Sequence, residues 1–175
     1  MNDLARRIAL VALLAGPILC LALTAAAQDI PKEIQAPADT KLLLEVHAKG
    51  DQIYTCEKNG ALFTWTLKGP DAQLFDKDGK VFGKHFAGPS WEAKDGSRVT
   101  GKAVANAPSP VANSVPWLLL SVVSQEGNGV LAHVTAIQRV NTKGGKAPAT
   151  GCDASHAGDE VRKPYSADYR FLVAK

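Results

Sequence analysis

The chain has 175 residues, of which 20 are Lys or Arg and 17 Asp or Glu, with a formal net charge of +3 and 46% hydrophobic residues. That length suits one ordinary domain with a real core, able to fold without metal staples. The charge is small and dispersed, and no Lys/Arg block occurs, so a nucleic-acid partner is not expected.

The first element is an export signal. Arg6 and Arg7 precede an uncharged apolar run from Ile8 to Thr24, and Ala25-Ala26-Ala27 leads into polar Gln28-Asp29. A positive start, an apolar middle and an A-x-A end predict a secretory signal peptide over residues 1–27, cut after Ala27. The rival is an uncleaved anchor, but Gly16-Pro17 interrupts the run. Lipidation at Cys20 is disfavoured by the large Leu19 before it. Residues 28–175 then form a single all-β domain. Cleavage removes Arg6, Arg7 and Asp3, so 18 of the 20 basic and 16 of the 17 acidic residues remain. No second apolar span follows, so the mature protein is expected to be secreted or periplasmic, off the membrane and monomeric. Cys20 leaves with the signal. The remaining pair, Cys56 and Cys152, is an even count in an oxidising compartment, which favours a disulfide between them.

From Lys41 onward the hydrophobic period is two. Leu42, Leu44, Val46 and Ala48 alternate with Lys41, Leu43, Glu45 and His47. KGDQ at 49–52 predicts a turn and Ile53 to Glu57 a second strand. KNG at 58–60 predicts a tight hairpin turn. In the returning ALFTWTL, Ala61, Phe63, Trp65 and Leu67 share a face, so Trp65 is expected in the core. KGPD and DKDG bracket AQLF, KVFGKHF follows, and KDGS at 94–97 turns into RVTGKAVA. Residues 107–116 carry three prolines and read as a loop. WLLLSVVS is a candidate central strand, VLAHVTAIQRV the longest alternating stretch, and SADYRFLVA a closing strand. No amphipathic helix is convincing. Turn signals every eight to twelve residues predict an antiparallel β-sandwich or partly closed barrel of about eight to ten short strands.

Several stretches carry a resemblance: YTCEKNG, FTWTLKGPDAQLFDKDGKVFGKHFAGPSWEAKDGSRVTG, VPWLLLSV, VTAIQRVNTKGGKAP and GCDASHAGDEVRKPYSADYRF. Together they resemble the secreted proteins grouped as domain of unknown function 3455, over nearly all of the mature chain. The resemblance implies an exported single-domain protein of bacteria or fungi, and no established activity, substrate or cofactor. Some fungal members carry a malate dehydrogenase label. No G-x-G-x-x-G after a strand and no βαβ alternation supports it here. The closing strand departs from the family, with ADYRFLVAK where members often have a stretch like ADYYFY. If it lines a ligand groove, Arg170 and Leu172 change the groove's character.

The densest chemistry is GCDASHAGDE at 151–160. Zinc sites need three or four Cys, His or carboxylate ligands. Here Cys152 has a partner in Cys56, and the other histidines lie far off in sequence. The preferred reading is a disulfide-pinned loop, with no metal and no cofactor. There is no G-x-S-x-G elbow for a nucleophilic serine. Glu92 and Asp95 are three apart, and Asp95 opens a turn, so a glycosidase pair is disfavoured. The residues singled out for ligand contact are His85, Trp91, His133 and His156, with none assigned as catalytic. His133 is placed on one face with Leu131, Thr135, Ile137 and Arg139. The function read from this is a non-catalytic exported module that binds an envelope ligand, polysaccharide or protein. The alternative is a secreted hydrolase or metal-assisted enzyme using His85, His133 and the loop acids. Convergence of His85, His133 and Asp153 in a cleft would favour the enzyme.

Overall fold

A computed structural model describes residues 29–175, so the expected signal peptide and its cleavage point lie outside the described residues. The period-two pattern forms eight antiparallel strands: β1 (Thr40–Asn59), β2 (Leu62–Phe75), β3 (Val81–Phe86), β4 (Ser90–Ala93), β5 (Arg98–Ala107), β6 (Trp117–Glu126), β7 (Val134–Gly144) and β8 (Glu160–Ala174). Each pairs with the next, and β8 returns to β1, so the sheet closes into a ring rather than a two-sheet sandwich. The remaining regular structure is two 3-10 turns, Lys32–Ile34 and Ala154–His156.

The strands are not all short: β1 runs 20 residues, β2 14 and β8 15. KGDQ and KGPD do not turn the chain. They lie opposite one another in the β1–β2 ladder, with Gly50 facing Ala72, Asp51 facing Asp71 and Gln52 facing Pro70. The two like charges are tolerated because Arg162 of β8 contacts both, Nε to Asp51 Oδ2 at 3.1 Å and Nη2 to Asp71 Oδ2 at 2.6 Å. The KNG hairpin is present, with Asn59 paired to Leu62 and Gly60 at φ 63°, so Gly60 and Ala61 are the two linking residues. In DKDG, Asp76 Oδ1 accepts from the amides of Asp78 and Lys80, each at 2.9 Å. In KDGS, Asp95 accepts from Ser97 N at 2.9 Å and also from Val130 N at 2.7 Å, so this turn secures the one before β7.

Alternate residues fill the ring. Val46 and Ala48 of β1 pack with Leu74, Trp91, Leu120, Ile137, Tyr169 and Phe171. The aromatic centre is His85 stacked on Trp91, centroids 4.4 Å apart, with Tyr169 edge-on to both at 4.8 and 5.2 Å. Such contacts add to the area term of burial. Gly101 packs closely beside them: a Cβ there would lie 3.2 Å from Trp91 Cζ3, so the indole would have to shift by a few tenths of an ångström to admit one. A smaller cluster of Ile34, Ala107, Trp117 and Val140 forms where the N-terminal segment packs, with Gln138 Nε2 donating to Ile34 O at 2.6 Å. The core tryptophans are therefore Trp91 and Trp117, each 1% exposed. Trp65, expected there, is only half-buried, and its Nε1 donates to Thr150 O at 2.9 Å.

The ring is interrupted between β2 and β5. β2 is paired to β3 only over residues 71–75, and β5 to β4 only over residues 98–100. One further bond, Gly101 N to Pro89 O at 3.0 Å, extends the second pairing. Because β3 and β4 are short, residues 62–70 of β2 and 102–107 of β5 have no ladder partner on the facing side among the described residues.

Candidate functional site

This break opens a recess of about 360 Å³ into the barrel interior. Its rim is Leu67, Lys68, Gly69 and Pro70 on one side, Ala103 on the other, and Gly88-Pro89 of the β3–β4 turn below. Gly69 has φ 150°, and a Cβ on it would sit 2.6 Å from Ala87 Cβ, so only glycine lets β2 pass this close to that turn. The inner wall is Gln52, His85, Leu118, Leu120 and Arg139.

The polar groups of this interior are only partly satisfied. Gln52 is 1% exposed, yet no partner lies within good hydrogen-bond distance of its Nε2, nor of Trp91 Nε1, Tyr165 OH and Tyr169 OH, although Tyr165 neighbours the Gln52 and Tyr169 side chains and Tyr169 neighbours Arg139. Buried polar groups are normally paired, so four unpaired ones in one region require an explanation. His85 Nδ1 donates to Ser90 O at 2.8 Å, since a carbonyl can only accept. Burial pushes its pKa down to about 3, so the ring is neutral near pH 7. Burial also raises the Tyr54, Tyr165 and Tyr169 hydroxyls above their ordinary range, and all three stay protonated. Tyr54 OH is satisfied by Gly145 O at 2.7 Å. The charge on the inner wall is Arg139. Its Nε and Nη2 donate to Pro116 O at 3.1 and 2.8 Å, and among the described residues no carboxylate pairs with it. At the rim, Lys68 is paired with Glu160.

The 151–160 loop is built differently. Cys56 and Cys152 are bonded, with Cα atoms 5.4 Å apart and a sequence separation of 96. Backbone bonds dock the loop on both sides of Cys56: its N–H donates to Asp159 O, and Gly158 N–H donates to its O, each at 2.9 Å. Asp153 Oδ1 accepts from Ser155 N at 2.8 Å, Ser155 Oγ at 2.6 Å and His156 Nδ1 at 2.8 Å. The Ser155 hydroxyl, then His156, hold the Asp153 carboxyl down to about 2, and Asp153 in turn raises His156. Among the described residues no group of three His, Cys, Asp or Glu side chains comes together as metal ligands.

The family model described as protein of unknown function (DUF3455) matches residues 37–173. This chain belongs to that family. The match takes in all of the recess and the stapled loop. No curated protein and no solved structure matches the chain.

Within the DUF3455 domain the four residues singled out from sequence do not share a site. His85 lines the recess and Trp91 lies behind it as its stacking partner. His133 is exposed in the turn before β7, in a shallow depression with Leu43, Gln125 and Val173. It is not on a strand face with Ile137, because β7 begins at Val134 and its pairing with β8 shifts register between Val134 and Ala136. His156 is exposed on the loop. His85, His133 and Asp153 therefore do not converge. Glu92 is held by Lys84 at 3.0 Å and Arg98 at 3.9 Å. Arg170 contacts Glu45 and Gln138 and does not line the recess, while Leu172 is buried. Sequence reasoning passed over Gln52, Tyr169 and Arg139. The available signal was a polar residue on an apolar face, Gln52 after Val46 and Ala48, and Arg139 after Ile137. It also passed over His47, which meets Asp168 at 2.7 Å, with Asn141 on the other carboxylate oxygen at 2.8 Å. Ser166 lines the same open depression as His47, but no hydrogen bond joins the two.

Proposed function

We propose that the protein is an exported, monomeric binding module that holds a small ligand in the break of its barrel and catalyses no reaction on it. The observation that carries this is Gln52, a fully buried amide with an unpaired donor on the wall of an open recess. An unpaired buried donor costs about 1–3 kcal/mol unless something meets it. A recess of about 360 Å³ falls at the lower end of the range for small-molecule sites. The lining contains no Asp, Glu, Ser, Thr or Cys, His85 has its Nδ1 bound to Ser90 O, and Lys68 is paired with Glu160, which favours binding over catalysis. Export is supported by the apolar N-terminal run and by the disulfide. No described helix is long and apolar enough to cross a membrane.

The test is native mass spectrometry of protein purified from its own periplasm or medium. The expected spectrum shows a species starting at Gln28 plus a small bound mass. Ala103→Trp, which fills the mouth from an exposed rim position, should lose that mass and remain folded. A ligand retained at full occupancy by Ala103→Trp would overturn the placement. A mass equal to the bare chain in every preparation would overturn the binding reading.

A further inference from the structure

The recess is unbalanced in charge and in hydrogen-bonding sense. Its lining holds Arg139 and Lys68 and no acid. Lys68 is already paired with Glu160 at the rim. Arg139 is pinned through Nε and Nη2 to Pro116 O, which fixes the guanidinium plane, and it neighbours the Tyr169 hydroxyl. Gln52 Nε2 is an unpaired donor on the same wall. Two donor groups, Arg139 and Gln52, thus stand around one positive charge with no carboxylate partner. Apart from the neutral His85 ring, the remaining side chains of the wall are hydrocarbon, from Leu118 and Leu120 inside to Leu67, Pro70 and Pro89 at the rim.

We propose that the ligand is a small organic acid carrying a single carboxylate on an apolar body. This rests on the binding reading above and names its ligand class. The carboxylate pairs with Arg139 and accepts from Gln52, and the apolar body lies against Leu118 and Leu120. A guanidinium held in a fixed plane is the group best suited to a carboxylate, and the partly desolvated setting strengthens the pair. A dianion would leave its second charge uncompensated. A sugar chain is disfavoured by size and because the two tryptophans nearest the interior are buried rather than offered as stacking platforms.

The experiment is titration calorimetry of the disulfide-bonded protein with benzoate and hexanoate, each set against its amide, at low ionic strength. At least one acid is expected to bind, with its amide at least tenfold weaker. Arg139→Gln should remove that preference by weakening the acid tenfold or more while leaving the amide unchanged. Because Arg139 also holds Pro116 O, that variant can fail to fold. Gln52→Leu is the second variant, expected to weaken the acid several-fold without lowering the melting temperature. Amides that bind as well as their acids overturn the anion inference and leave the binding reading standing. Acids that bind equally to wild type, folded Arg139→Gln and Gln52→Leu overturn it as well. Failure of all four probes on a protein that carries a native bound mass removes the monocarboxylate inference only. Failure on a protein with no bound mass removes both.

Discussion

The recess and the stapled loop each carry a histidine, a hydrogen-bonded neighbour and a displaced proton affinity. They differ in what is left over once the hydrogen bonds are assigned. His156 is exposed, and it, Ser155 and Asp153 satisfy one another within three residues. Nothing there is unmet. Around His85 the ring is buried and neutral, while Gln52, Trp91, Tyr165 and Tyr169 keep unpaired polar atoms in the barrel interior. Density of titratable side chains therefore marks the loop, and unmet hydrogen-bonding capacity marks the recess. The second is the better sign of a site, because solvent already serves the first.

The sharpest way to break this contrast is Trp91→Ala. A buried indole stacked on His85 should cost about 3–5 kcal/mol in urea unfolding. A loss under about 1 kcal/mol would mean the interior is not packed as described. Cys152→Ala comes next, with an expected loss of about 2–4 kcal/mol for a bond closing so long a loop. That loss should appear with little change in ligand binding, since the loop is architecture.

A pH series separates the two histidines by sign. His85 has a lowered folded pKa, so between about 6.5 and about 3 the unfolded chain binds a proton that the native chain refuses. Stability from this group is full above 6.5 and falls on acidification, at about 1.4 kcal/mol per pH unit. His156 has a raised pKa, so its contribution is full below 6.5 and fades as pH rises through the folded value. Asp153 contributes above its unfolded value and loses this as pH falls through about 2. Thermal melts across this range should flatten in His85→Gln and keep their acid slope in His156→Ala. A slope unchanged in His85→Gln would contradict the buried neutral ring. The smallest effect is His156→Ala itself, a barely displaced melt that does not shift on adding EDTA. A chelator-sensitive melt matched by that variant would restore a metal at the loop.

The parts legible in sequence are those decided locally. The hairpin at Asn59-Gly60, the Asp76–Gly79 and Asp95–Gly96 turns and the disulfide each rest on residues with one favoured role. The long strands were not legible, because KGDQ and KGPD carry turn residues whose real partner is the facing strand, with Arg162 ninety or more residues away neutralising their aspartates. Trp65 misled for a related reason. Alternation gives its face, but β2 has no neighbour on one side there, so that face meets the Thr150 loop instead of the core. Trp91 was hidden inside a four-residue strand that reads as a loop edge. The recess depends on where β3 and β4 end relative to β2 and β5, and only the assembled ladder shows that.

The interrupted wall also has a mechanical meaning. Neighbouring strands are kept about 4.8 Å apart by their ladder bonds. Across residues 62–70 and 102–107 no such bonds set the spacing. The barrel is in this respect a clip and not a tube. Pulling β2 away from β5 at this level breaks no ladder bond between them, whereas separating two strands where they are paired must shear a row of amide bonds. Backbone amides facing the break should accordingly exchange with deuterium fastest among the strands, and a bound guest that bridges the two lips should slow them.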